Sequence, residues 1–204
     1  MGKNRSDLNL RREIANRAAQ LITVDGMNDY LAAKKKAANQ LGIHQSRHYP
    51  SNEEIELALQ SYQCLFQSET QPTLLLELRK NALQAMILLQ DFTPWLTGSV
   101  LNGTASHNSD IILHVYTDNP EQIDALLIDR NIPFEYIEKR ARFGQQESQY
   151  FPAFQFLFKD FKITIMIFPE RRAKQSPISP MDNKPMARAG QQALEKLIQE
   201  SVQN

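Results

Sequence analysis

Apolar side chains recur at intervals of three and four residues through about the first 90 positions of the chain. This spacing places them on one side of an α-helix, and it therefore predicts four helices in this region. The inward-facing residues are Leu10, Ile14, Ala18, Leu21 and Ile22 in the first helix, Met27, Leu31, Ala38 and Leu41 in the second, Ile55, Ala58, Leu59, Tyr62 and Phe66 in the third, and Leu75, Leu78, Ala82, Met86 and Leu89 in the fourth.

Particular residues mark the boundaries of these helices. The first helix is expected to close at Asp25-Gly26. Gly42 is well placed to end the second helix, because glycine readily adopts the left-handed conformation that terminates helices. Ser51 and Glu54 form a predicted capping box, in which each side chain satisfies a free N–H of the first turn. Pro72 stands in the first turn of the fourth helix, where its missing N–H costs nothing.

From Phe92 onwards the pattern changes to short apolar runs and alternating positions, which are typical of β-strands. The predicted strands are FTPWLTGS, SDIILHVYT, IPFEYIEKR and the two arms of a hairpin, YFPAFQFLFKDFKITIMIFP, with its turn near Lys159-Asp160. A helix is predicted for NPEQIDALLIDRN, with Pro120 at its first position, and a last helix from about Gln191 to Val202. The Pro-rich, basic segment 169–188 is expected to be a loop.

These elements predict an α+β fold. An α-helical N-terminal region, residues 1–91, is expected to pack on a small mixed sheet with flanking helices, residues 92–204. The length of 204 residues suits one or two small domains, and a hydrophobic fraction of 42% is ordinary for a globular chain that buries a core.

Charge and cysteine content narrow the function classes. The formal net charge is +0, so no overall field attracts the chain to nucleic acid or membrane. The single cysteine, Cys64, excludes an internal disulfide and a thiolate metal cluster. The first residues lack the apolar segment of a secretory signal, and no run approaches the roughly 18 apolar residues of a membrane span. A reducing cytoplasm is the expected location.

The charge is nevertheless distributed unevenly. Residues 1–48 hold nine Lys or Arg against four Asp or Glu, a net of +5, whereas residues 49–92 hold two against six, a net of −4. Two helical segments of opposite charge facing each other is the simpler interpretation. The alternative is a basic surface, with Lys34, Lys35 and Lys36 at its centre, that binds a protein or nucleic-acid partner. No helix here is rich in the Asn, Gln and Arg of a base-reading recognition helix.

The run most indicative of chemistry extends from Gly98-Ser99 to Ser109-Asp110 and continues into the second predicted strand. Gly98 lacks a Cβ, so its backbone can approach a phosphate closely. Ser99 offers a hydroxyl and a backbone N–H where a helix is expected to begin, and such positions favour anions. Gly103 lies between the two pairs, and ten residues separate Ser99 from Asp110.

This arrangement resembles the signature of the DNA polymerase β-like nucleotidyltransferase superfamily over roughly residues 92–170. In that family a Gly-Ser pair ends the first strand, and an acid-x-acid pair opens the second. The resemblance implies a nucleoside triphosphate or another phosphate-bearing ligand at Gly98, Ser99 and Gly103, and Mg²⁺ held by carboxylates that include Asp110.

Most of the acids that the family uses are missing here. Strand alternation places Asp110, Ile112 and His114 on one face, so Ile112 occupies the position of the second acid. The third would lie on the later hairpin arm, where Lys162 and Thr164 occupy the polar positions. The resemblance thus implies a divergent member that holds at most one weakly bound Mg²⁺ and does not use a two-metal mechanism.

Several residues near the motif are candidates for a supporting role. His114 shares the face of Asp110, so an active transferase would use Asp110, His114 and Lys162. A histidine on a half-buried strand is, however, more often a packed, hydrogen-bonded residue. His107 is a weaker candidate. Two basic clusters, one of Lys139, Arg140 and Arg142 and one of Arg171, Arg172 and Lys174, lie where solvated loop charge is common. Arg171 and Arg172 are the preferred phosphate contacts, because they follow the strand expected to border the site.

Two other classes of enzyme are excluded by pattern. Ser99 lies in no G-x-S-x-G sequence, and no order of His and Asp supports a hydrolase triad. The seven glycines never form the G-x-x-x-x-G-K-[ST] loop of a P-loop enzyme.

Overall fold

The structure is a computed structural model that describes the backbone of residues 2–27 and 29–203 and the side chains of residues 7–27 and 29–202. Over these residues it is an α+β fold with seven α-helices and one five-stranded mixed sheet, which confirms the predicted class. The helices are α1 (Gly2–Thr23), α2 (Tyr30–Gln40), α3 (Asn52–Phe66), α4 (Gln71–Leu88), α5 (Ser99–Asn102), α6 (Glu121–Asp129) and α7 (Gln191–Gln203). The strands are β1 (Trp95–Thr97), β2 (Ile111–Tyr116), β3 (Phe134–Ala141), β4 (Gln149–Phe158) and β5 (Phe161–Phe168).

The chain forms two compact units. The first comprises the residues up to Pro72 together with Thr104–Ser109 and Pro180–Asp182. The second comprises Thr73–Gly103, Asp110–Ser179 and the residues from Asn183 onwards. The boundary between these units lies near the start of α4, so α4 from Thr73 onwards belongs to the unit that contains the sheet.

The first unit is held together by a core of small and aliphatic side chains from α1, α2 and α3. Its fully or almost fully buried members are Ile14, Ala15, Ala18, Ala19, Leu21, Ile22, Ala33, Ala37, Ala38, Ile55 and Leu59. The predicted capping box is present: Glu54 N–H donates to Ser51 Oγ at 3.1 Å, and Ser51 N–H donates to Glu54 Oε2 at 2.6 Å. Gly42 follows α2 with a φ of +69°, as its predicted role in ending that helix requires.

Strand order in the second unit is β1-β2-β5-β4-β3. β2 and β5 are parallel, and every other neighbouring pair is antiparallel. The hairpin between β4 and β5 turns at Lys159 and Asp160, as predicted, and both residues have positive φ, 47° and 70°. The predicted first strand is shortened to Trp95–Thr97, because Gln90–Phe92 forms a 3-10 turn and Thr93 takes a φ of +48°. Pro120 stands just before α6 and is not its first residue.

Alternation divides β2 between two faces of the sheet. Ile111, Leu113 and Val115 point to one face and are fully buried. Asp110, Ile112, His114 and Tyr116 belong to the other, which is named the Asp110 face below. The parallel register of β2 and β5 brings Lys162, Thr164, Met166 and Phe168 to the same face, because Ile112 pairs with Thr164 and Tyr116 pairs with Phe168.

Candidate functional site

The predicted Gly98-Ser99 turn is present between β1 and α5. Gly98 has a φ of +75° and a ψ of −157°, a backbone conformation that is essentially restricted to glycine. Gly103 ends α5 with a φ of +86°, and its N–H donates to Ser99 C=O at 2.9 Å. The two glycines therefore fix both ends of a four-residue helix, and a polar side chain at position 99 begins it.

Ile112 lies directly against this turn. A Cβ placed on Gly98 would stand 3.4 Å from Ile112 Cδ1, so the aliphatic side chain is in contact distance of the bend. Position 112 is where the resemblance implies a second acid. An apolar side chain packed there leaves the turn without a carboxylate from that position.

Asp110 forms an ion pair with Lys162. Lys162 Nζ lies 3.0 Å from Asp110 Oδ1, although the geometry is not that of a hydrogen bond. The Asp110 side chain is 17% exposed and that of Lys162 is 42% exposed. The ammonium group therefore neutralises the carboxylate and still faces solvent.

The second carboxylate oxygen of Asp110 belongs to a short chain of side-chain hydrogen bonds. Thr164 Oγ1 donates to Asp110 Oδ2 at 3.3 Å, and Gln155 Nε2 donates to Thr164 Oγ1 at 2.9 Å. Thr164 is only 2% exposed, so the hydrogen bonds that it makes are shielded from solvent. Gln155 was not among the sequence candidates, because only the pairing of Gln155 with Thr164 across β4 and β5 brings it to the site.

His114 lies away from Asp110 and Lys162. Four steps along the strand lead from Asp110 to His114, a distance of about 13 Å. His114 is 1% exposed, its Nε2 lies 3.5 Å from Thr97 Oγ1, and its ring meets Phe168 edge to face at 5.0 Å. Burial, and secondarily the charge of Arg188, lower the pKa of His114 to about 4. Of the three candidate residues Asp110, His114 and Lys162, only Asp110 and Lys162 are therefore in contact. His114 is buried, neutral and separate from them.

A cluster around Arg188 covers the part of the Asp110 face nearest His114. The guanidinium carbon lies 4.5 Å from the centre of the Trp95 ring and 5.8 Å from that of Tyr116. Arg188 Nη1 donates to Tyr116 Oη at 3.2 Å and to Ala173 C=O at 2.9 Å. These contacts anchor the segment that the sequence indicated only as a basic loop, and no local pattern singles out Arg188.

Arg171 and Arg172 lie at the other end of the sheet from the Gly98-Ser99 turn. They form a 3-10 turn after β5, whereas Lys162 stands near the beginning of that strand. The six steps from Lys162 to Phe168 span about 20 Å. Arg172 instead contacts the Phe143 ring at 4.4 Å and donates to Gln146 at 2.7 Å. Arg171 and Arg172 are thus too far from the Gly98-Ser99 turn to make the expected contact with a phosphate there, because β5 runs away from that turn.

The side chains around Asp110 do not fit the Mg²⁺ ion that the resemblance implies. Among the described residues, no group of three or more His, Cys, Asp and Glu side chains is arranged to hold a metal ion. Asp110 contributes a single carboxylate, and its two oxygens already face Lys162 and Thr164. Adding a divalent cation here would place it against an ammonium group.

The lysine triplet of the first unit is largely engaged within that unit. Lys34 Nζ donates to Pro50 C=O at 2.8 Å, and Lys36 Nζ lies 3.0 Å from Asp25 Oδ2. Lys35 is exposed. A partner-binding surface over residues 1–48 stays a prediction, and Lys35 is the member of the triplet best placed to test it.

Comparison of the chain with protein-family models, curated proteins and solved structures gave no match. None of the helices in the described part of the chain combines the length and the apolar character that a membrane-spanning segment requires. The geometry of the site itself therefore carries the functional argument.

Proposed function

We propose that this chain is a divergent nucleotidyltransferase-like protein that binds a nucleotide or another phosphate-bearing ligand beside the Gly98-Ser99 turn without a divalent metal. The observation that carries the proposal is the Lys162–Asp110 ion pair, at 3.0 Å, on the sheet face that adjoins this turn. In this proposal the lysine supplies the positive charge that metal ions supply in the family.

The position of Lys162 relative to the turn supports this role. Thr97, the residue before Gly98, pairs with Ile112, and Ile112 pairs with Thr164, so the turn, Asp110 and Lys162 share one end of the sheet. Lysine ammonium groups are common phosphate ligands, acting as compact charges with three donors. Because Lys162 is 42% exposed, it can donate to an incoming phosphate without any rearrangement of the sheet.

The same arrangement argues for binding and against nucleotidyl transfer. Two-metal transfer needs several carboxylates to hold both ions and stabilise the attacking and leaving oxygens. Here Ile112 and Thr164 occupy two of the expected positions, and the one carboxylate is paired with a cation. The alternative of an active transferase built from Asp110, His114 and Lys162 lacks support, because the buried His114 is about 13 Å along the strand from Asp110.

Isothermal calorimetry tests the proposal with ATP, CTP, GTP and UTP, each in the presence of Mg²⁺ and in the presence of EDTA. We expect at least one nucleotide to bind more tightly than millimolar, with an affinity in EDTA equal to or greater than that in Mg²⁺. Lys162→Met should weaken this binding about tenfold or more, the loss of one charge-assisted contact. Lys159→Met, which removes an exposed lysine in the hairpin turn, is the matched control.

Two results would remove the proposal. One is the absence of binding stronger than millimolar for all four nucleotides. The other is binding that requires Mg²⁺, because a metal-dependent ligand would need the carboxylate that Lys162 neutralises.

A further inference from the structure

β3 forms an open edge of the sheet. It pairs with β4 residue for residue from Phe134–Phe156 to Ala141–Gln149, with no bulge, and no other strand of the described residues pairs with it. Its eight residues contain no proline. Its outward-facing N–H and C=O groups therefore form a regular row that can accept another strand.

The side chains of this edge carry unpaired charges of opposite sign. Glu135, Ile137 and Lys139 alternate on one face of the strand. Within the described part of the chain, neither Glu135 nor Lys139 takes part in an ion pair. The two lie about 13 Å apart along the strand, so they cannot neutralise each other.

We propose that β3 pairs with β3 of a second copy of this chain, antiparallel and centred on Ile137, to form a symmetric dimer. A two-fold axis perpendicular to the sheet keeps each side chain on its own face. Centring the axis on Ile137 places Glu135 of each copy opposite Lys139 of the other, so two cross-strand ion pairs form. On the opposite face, Tyr136 comes opposite Glu138, where a hydroxyl can donate to a carboxylate.

The charges select this register over its neighbours. A register centred on a residue keeps like faces together, and moving that centre by one residue shifts the pairing by two. The adjacent choices that keep the faces matched are therefore centred on Tyr136 or Glu138. Centring on Glu138 sets two carboxylates directly opposite each other, which is destabilising. Centring on Tyr136 moves Lys139 past the end of the pairing strand and leaves both Glu135 and Lys139 without partners.

Charged side chains on an edge strand usually protect a sheet from association. Whether the charges of β3 oppose or favour pairing therefore depends on which charges the pairing brings together. Charges on an edge oppose pairing when like charges come directly opposite each other, and favour it when unlike charges do. Here the two-fold operation brings unlike charges together on the face of Ile137. Pairing would also cover Tyr136, which is 62% exposed and whose ring lies only against Phe154 at 5.8 Å among the described aromatic contacts.

Analytical ultracentrifugation of the full chain and its charge variants tests the dimer. The unmodified chain should sediment as a concentration-dependent dimer. Glu135→Lys and Lys139→Glu each set like charges opposite one another at two positions, so each should weaken dimerisation about tenfold or more. The double variant Glu135→Lys/Lys139→Glu exchanges the charges and should restore the dimer.

A mixture of the two single variants gives the sharpest result. One variant then offers two cations and the other two anions along β3, so an equimolar mixture should form a heterodimer although each variant alone is mainly monomeric. Glu69→Lys and Lys80→Glu change exposed charges elsewhere and should leave the dimer unaffected. A monomeric unmodified chain up to millimolar concentration would overturn the proposal, and so would a dimer that the single variants do not weaken.

Discussion

Lys162 places its ammonium nitrogen 3.0 Å from Asp110 Oδ1, across the parallel pairing of β5 with β2. Thr164, two residues further along β5, donates to the other carboxylate oxygen. An aspartate that would hold a metal in the family that the sequence resembles therefore has a cation and a hydroxyl as neighbours. Under the proposed function, the charge of this carboxylate affects how strongly a phosphate would be attracted to the adjoining Gly98-Ser99 turn.

Asp110→Asn should strengthen metal-free binding of ATP or pyrophosphate. The substitution preserves the shape of the side chain and removes the negative charge that neutralises Lys162, so the ammonium attracts an anion more strongly. An increase of about three- to tenfold corresponds to the roughly 1 kcal/mol expected of a partly exposed charge. Calorimetry in EDTA measures it, with the exposed Asp129→Asn as control. A loss of binding in EDTA would instead show that Asp110 helps to hold the ligand itself.

Gly98→Ala should destabilise the protein by about 1 kcal/mol more than Gly42→Ala. Both glycines have positive φ, 75° and 69°, but the ψ of −157° at Gly98 belongs to a region that other residues scarcely occupy. Space is not the obstacle, because an added Cβ would meet Ile112 at an ordinary contact distance of 3.4 Å. Urea unfolding of both variants gives the comparison. Equal losses would show that the Gly98 backbone relaxes without strain.

The buried, neutral state of His114 should make stability fall in acid. The pKa of His114 is lowered from 6.5 to about 4 in the folded chain, chiefly by burial. As the pH drops below 6.5, the unfolded chain binds a proton that the folded chain does not, so the free energy of unfolding decreases until about pH 4 and then levels. The full effect is about 3 kcal/mol.

The variant His114→Phe isolates this contribution. Other titrating groups affect both proteins alike, so the difference in unfolding free energy between the unmodified chain and the variant should be constant above pH 6.5 and should shift in favour of the variant between pH 6.5 and 4. Urea unfolding at a series of pH values measures it. A difference that does not change with pH would contradict the buried, neutral histidine.

Replacing the β4–β5 turn by Asn-Gly should stabilise the protein. Lys159 and Asp160 both have positive φ, 47° and 70°, which is unfavourable for lysine and which Asn-Gly adopts readily in two-residue hairpins. We expect Lys159→Asn/Asp160→Gly to raise the free energy of unfolding by about 1 kcal/mol, seen as a higher Tm. Lys159→Ala loses the exposed hydrogen bond to Gln84 without improving the turn, so it should not stabilise.

The helices and the main turns were predictable because their causes lie close together in the sequence. The reciprocal bonds of Ser51 and Glu54 join residues three apart, and Lys159-Asp160 ends one apolar run and precedes the next. The Gly98-Ser99 turn likewise depends on the backbone freedom of a single residue. The sequence also predicted that Lys162 and Thr164 take the polar positions of the strand beside Asp110, and the register of β2 and β5 agrees.

Other features of the site depend on contacts between distant parts of the chain. Gln155 reaches the Asp110 carboxylate only through the pairing of β4 with β5, and Arg188 meets Tyr116 from 72 residues away. The direction of β5 separates Arg171 and Arg172 from the turn that they were expected to serve. A sequence shows which residues share a face of a strand. It does not show at which end of the sheet each of these residues lies, because that depends on the direction of the strand.

The sequence by itself determined most of the helical and strand segments, the Ser51–Glu54 cap, the main turns and the apolar residue at position 112, since each follows from chemistry within a few residues. Only the tertiary structure decided that Lys162 neutralises Asp110, that His114 is enclosed and uncharged, and that β3 forms an open edge. These depend on strand order, register and burial, which are set by the packing of the whole sheet and by the desolvation that accompanies it.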